Sequence, residues 1–128
     1  MNDEQRAEGA ALLERICAMG SVKALGEQRG ETDFAAGLGA ISIDSVFTGL
    51  WARPGLDARS RSLVTLGILI ALRSREELRI HAALAIANGV SLTELEEVIY
   101  HASGYAGFPA ASNARLAAIE GLQMEGLI

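Results

Sequence analysis

The sequence predicts an all-α fold, and three observations carry that expectation. Half of the 128 residues are apolar while aromatics make up only 5%, with alanine, leucine and glycine dominating. Alanine and leucine lose little freedom in a helix, so such composition favours helices. Apolar residues recur at three- and four-residue spacing, and Ser or Asp stands ahead of several such stretches, where an N-cap belongs. The length is that of one ordinary domain, so residues 1–128 are expected to form one.

The elements follow in order. Asp3 to Met19 reads as a first helix, with Leu12, Leu13 and Ile16 as its apolar stripe and Gly20 at its stop. From there to Gly30 the chain is broken and polar, punctuated by Gly26 and Gly30. Phe34 to Leu38 suggests a short helix or turn. Ile41 to Trp51 fits two readings: its β-branched residues suit a strand, while Asp44, Val46, Phe47 and Leu50 suit a helix. Pro54-Gly55 is a turn, and Asp57 caps a helix running to about Arg73. That helix is apolar nearly all round, which predicts burial on several sides. Ser74 with Glu77, and Ser91 with Glu94, match the capping-box pattern at the starts of two further helices. The first of these ends at Asn88-Gly89, and the second runs to Gly104 or beyond. Ala110 to Leu122 makes the last helix, after a tight loop holding Tyr105, Gly107 and Pro109.

Composition excludes several function classes. A net charge of -5 offers no basic field for nucleic acid or an anionic membrane. Cys17 is alone, so neither an internal disulfide nor a CxxC site exists. No apolar run reaches membrane-spanning length and the N-terminus is polar, so the expected compartment is the cytoplasm. No metal site is expected, because HExxH is absent and Glu77 with His81 supplies two ligands at most. GxGxxG and P-loop patterns are absent as well.

The candidates for chemistry are few. His81 and His101 are the only histidines. Glu77 stands four residues before His81, so the two share a helix face, where a carboxylate would orient the ring and raise its pKa. The plain alternative is a surface pair. His101 reads either as a functional group or as a core or interface imidazole. Arg53, Arg59 and Arg61 surround the Pro-Gly turn and would clamp a dicarboxylate if they converge; otherwise they are solvated charges. Tyr105 adds an aromatic hydroxyl.

Taken together, these residues resemble a known family. The run Leu50-Trp51-Ala52-Arg53-Pro54-Gly55-Leu56-Asp57, then Arg59-Ser60-Arg61-Ser62-Leu63, is similar to a stretch of carboxymuconolactone decarboxylases. Glu77-Leu78-Arg79-Ile80-His81, Asn88-Gly89-Val90, Glu94-Leu95, Glu97-Val98, His101 and Tyr105-Ala106-Gly107-Phe108-Pro109-Ala110-Ala111 follow in matching order. The likeness runs from about Phe34 to the C-terminus, and residues 1–30 match less clearly.

The resemblance implies an alkylhydroperoxidase-D-like helical bundle and a homo-oligomer, commonly a trimer or hexamer. It implies a cofactor-free lyase that decarboxylates 4-carboxymuconolactone or a related unsaturated lactone or keto acid. The substrate is its own electron sink, so metal, thiamine and pyridoxal are not required. Thiol peroxidases of the wider superfamily use a CxxC pair. Those positions fall on Ser74 and Glu77 here, and the thiol branch's glutamate falls near Ser62, so thiol chemistry is missing. On this reading His81 donates the proton, oriented by Glu77. Arg53 and Arg61 anchor a carboxylate, with Arg59 as the alternate, and His101 or Tyr105 bonds the lactone carbonyl. Two other readings remain open: an enzyme of the same fold acting on another small acid, and a non-catalytic oligomeric binding module.

Overall fold

A computed structural model describes residues 3–19 and 34–128. The expected breaks at Gly20, Gly26 and Gly30 lie outside the described residues, as does the Leu13 side chain. The described elements are helices throughout, with no strand among them: α1 (Asp3–Ala18), α2 (Gly37–Ser42), α3 (Ile43–Trp51, a π-helix), α4 (Ala58–Leu72), α5 (Arg75–Ala87), α6 (Leu92–Ala106) and α7 (Phe108–Met124). Contacts divide the chain into two compact units, Met1–Asp57 and Ala58–Ile128.

In the first unit α1 packs on α3. Gly9, Leu12 and Ile16 of α1 are buried, and Met19, just past its end, continues the stripe at three- and four-residue spacing. Gly9 lets the helices close, because a Cβ there would lie 3.3 Å from the Ala52 Cβ and 3.4 Å from the Phe47 carbonyl. The segment Ile41 to Trp51, open to two readings in sequence, is helical, with its last nine residues wound as a π-helix.

The second unit is a bundle of α4 to α7. Its core joins Leu66 and Ile70 of α4, Leu78, Ala82 and Ala85 of α5, Val90, Leu95 of α6, and an alanine-rich face of α7. Small residues on α7 let α5 approach closely, and Glu120 ties the two by ion pairs to Arg75 and to Arg79. Helix α4 departs from expectation. It buries Ser62, Leu66 and Ile70, whereas Val64, Ile68 and Leu72 are 54, 54 and 68% exposed. They follow one another at four-residue steps, so they form one stripe, and the bundle covers only the opposite face.

The two capping-box patterns end differently. At Ser91 the box forms: its hydroxyl accepts from the Glu94 amide and the Glu94 carboxylate accepts from the Ser91 amide, each at 3.0 Å. Ser74 makes no side-chain cap bond. Its ψ is 79°, against 162° at Ser91. The cause lies upstream. Helix α4 closes with Ser74 N–H on the Leu69 carbonyl and Arg73 N–H on the Ile70 carbonyl, with Arg73 at φ 55°. That left-handed closure sends the chain straight into α5 and turns the Ser74 backbone away from cap geometry. The expected loop at Tyr105–Pro109 is a corner of one residue. Gly107, at φ 94°, ends α6 and starts α7, and Pro109 sits in the first turn, where a missing N–H costs nothing.

Candidate active site

Helix α5 carries Glu77 and His81 on adjacent turns. The His81 Nε2 lies 3.7 Å from the Glu77 Oε2. The residue is only 7% exposed, while the Glu77 side chain is 54% exposed. The expected upward pull on the imidazole is therefore reversed. Burial lowers the His81 pKa from 6.5 to about 4. The carboxylate is largely in water, which screens it, and desolvation of the imidazolium wins. At neutral pH His81 is a buried, uncharged imidazole.

This has a consequence for stability. Above pH 6.5 the ring is neutral in folded and unfolded chains alike. As pH falls below 6.5 the unfolded chain takes up a proton that the folded one refuses, so stability drops until about pH 4 and then levels off. The expected loss is about 2 kcal/mol between pH 7 and pH 5. Urea unfolding at both pH values checks it. A His81→Gln variant should lack that component, and an unchanged pH dependence in the variant would assign it elsewhere.

The three arginines of the turn region are placed differently. Arg53 is exposed in the first unit. Arg59 and Arg61 stand in the first turn of α4, both half-buried. The Arg59 guanidinium is ion-paired to the second carboxylate oxygen of Glu94, whose first oxygen closes the α6 cap. A substrate carboxylate at Arg59 would have to displace Glu94.

A groove of about 800 Å³ runs between α4 and α6. Leu63, Gly67 and Ala71 line one wall, and Glu97, His101 and Tyr105 stand along the other. The His101 and Tyr105 rings are 5.2 Å apart. His101 is exposed, so the alternative of a core imidazole is ruled out. The structure thus brings His101 and Tyr105 together, with Glu94, the ion-pair partner of Arg59, lining the same groove. Glu77 and His81 are not among its lining residues.

Two features escaped the sequence reading. Glu97 precedes His101 by four residues, the same spacing as Glu77 and His81, and that signal was visible. The other is a bond of 3.0 Å from the Asn88 amide to the buried Ser62 hydroxyl, which ties the end of α5 to α4. Nothing local in sequence announces a pair that far apart. No three His, Cys, Asp or Glu converge as metal ligands among the described residues.

Fold and site define a class: a helical bundle with a buried imidazole on one helix and an imidazole–phenol groove beside another. The model of the carboxymuconolactone decarboxylase family matches residues 42–120. Over 114 residues the chain is 38% identical to the 4-carboxymuconolactone decarboxylase of Acinetobacter baylyi, spanning 89% of this chain and 84% of that protein. It is 43% identical over 67 residues to the nitrosuccinic acid decarboxylase of Metarhizium robertsii, spanning 52% of this chain and 47% of that one. The chain belongs to the carboxymuconolactone decarboxylase family.

Proposed function

We propose that the protein is a cofactor-free carboxy-lyase acting on 4-carboxymuconolactone or a related unsaturated lactone or keto acid. The observation that carries this is the likeness to a named decarboxylase along 89% of the chain. In such a reaction the bond to the departing carboxylate breaks. Its electron pair moves through the ring double bond into the lactone carbonyl, CO2 leaves, and a proton is added to the carbon next to that carbonyl. The protein has to hold the retained carboxylate, stabilise the enolate oxygen and deliver the proton.

His81 is the proton donor in this reading, with Glu77 beside it. Being uncharged at rest, it takes up its proton with the substrate, since a dianion seated nearby favours the imidazolium. Arg61 anchors the retained carboxylate. Arg53 is a second candidate for that role on the family resemblance, and Arg59 a third that must release Glu94. His101 or Tyr105 bonds the lactone oxygen. An Arg61→Ala variant should raise KM ~10-fold or more while kcat changes less, the pattern of a lost ground-state contact. Unchanged KM and kcat would remove Arg61 from the anchor.

Assembly as a trimer or hexamer belongs to the same reading. The exposed apolar stripe of α4 gives a second copy something to cover. Light scattering on a sizing column measures it. No helix among the described residues is long and apolar enough to cross a membrane; a cytoplasmic location is part of the proposal. The deciding assay follows ultraviolet absorbance with the lactone, alongside a mass-based screen of other small acids that includes nitrosuccinate. Turnover of the second compound in place of the first supports the alternative of another small acid on this scaffold. No turnover of any acid, with a well-folded oligomer, would leave the binding-module reading.

A further inference from the structure

We propose that Glu94 is a built-in competitor for Arg59, and that a ligand carboxylate entering the α4–α6 groove takes its place on the guanidinium. This rests on the lyase reading, in which Arg61 is the first candidate anchor and Arg59 the third. For a ligand seated against His101 and Tyr105, Arg59 comes first.

The groove is mismatched to an anion as it stands. Its lining residues include two carboxylates, Glu94 and Glu97, and no lysine or arginine. An anionic ligand would be repelled there unless a cation were brought to it. Arg53 and Arg61 are not among the lining residues. Arg59 is not one either, but its guanidinium is ion-paired to Glu94, which is. Arg59 is thereby held beside the groove with its charge matched by the protein's own carboxylate.

The two partners are held unequally. Glu94 is fixed on α6. One carboxylate oxygen accepts from the Ser91 N–H at 3.0 Å, while the Glu94 N–H donates to the Ser91 hydroxyl at 3.0 Å. Only the second oxygen meets Arg59. Arg59 stands in the first turn of α4 on a long, unbranched stem. Its Cδ passes the turn at Gly89, where even an added Cβ would stay 3.9 Å away. The moving part is therefore the arginine. Its side chain is 41% exposed and that of Glu94 43%, so water already competes for the pair, which adds little net stability. Exchanging one carboxylate for another leaves Arg59 with the same charge-assisted bonding. Glu94 keeps its cap and turns the freed oxygen to water. A neutral ligand offers Arg59 nothing in exchange, so the latch selects carboxylates over neutral molecules of the same shape.

The test uses the full-length protein and calorimetric titration with succinate, a dicarboxylate with no electron sink and so no turnover. Glu94→Gln is the clean variant, because glutamine at this position still accepts from the Ser91 amide and the cap survives. It should bind succinate about fivefold more tightly than the parent, the most that a half-exposed pair holds back. Arg59→Gln should bind it at least ~10-fold more weakly. In the double variant most of the Glu94→Gln gain should be gone, because no guanidinium is left to release. Unchanged or weaker binding in Glu94→Gln would overturn the latch. So would an equal gain with and without Arg59, or no succinate binding by any of these proteins. In turnover, KM should follow the same order while kcat moves less. The two failures separate. If the parent turns over no acid, the lyase reading falls while the succinate affinities still decide the exchange at Arg59. If the parent is active and neither KM nor succinate affinity responds to Glu94→Gln, only this inference falls.

Discussion

A His81→Ala variant is expected to lose at least ~100-fold in turnover of the lactone, the low end for removing a general acid. The effect should be on kcat, because the proton moves only in the transition state. Truncating a buried ring also leaves a cavity, so the cleaner variant is His81→Gln, which keeps most of the volume and a hydrogen-bonding head. Both should show the same kinetic loss if the imidazole itself is needed. His81→Gln should meanwhile unfold in urea at pH 7 close to the parent, since the folded parent carries no charge there that the variant removes. A rate near that of the parent in a well-folded His81→Gln protein would end the assignment and shift attention to His101.

The largest structural effect is expected at Gly121. A Cβ at this position would lie 2.1 Å from the Arg79 carbonyl oxygen and 2.9 Å from the Arg79 Cα. The obstacle is backbone, so it cannot swing aside as a long side chain could. Helix α7 would have to move off α5, opening the face where Ala114, Ala117 and Ala118 pack. Gly121→Ala should cost ~3 kcal/mol, the upper end for overpacking, although alanine is the better helix former by ~1 kcal/mol. A urea midpoint at or above that of the parent would show that the helices separate easily. Gly104, where an added Cβ meets nothing, is the control: Gly104→Ala should stabilise α6 slightly.

These positions show which features were legible in the sequence. Helix identity came from spacing and caps, both local. Asp57, Ser91 and Asn88-Gly89 mark ends within a residue or two of where α4, α6 and α5 begin or stop. The candidate residues were also legible, because a family resemblance fixes residue types in order. Their grouping was less so. Pairs one turn apart, such as Glu77 with His81, follow from helix geometry alone. The Arg59–Glu94 pair and the Ser62–Asn88 bond join helices far apart in the chain, and no local pattern encodes them.

The sequence by itself determined that the chain is helical, where most helices start and stop, and which few side chains could carry acid–base chemistry. Tertiary structure alone decided environment. It buried His81 enough to reverse the effect of its neighbour, left one stripe of α4 exposed, cancelled the cap at Ser74, and made Gly121 indispensable to the contact between α5 and α7. The reason is physical. Periodicity and capping act over about one helical turn, whereas desolvation, steric contact and ion pairing depend on whichever distant segment is folded against the residue.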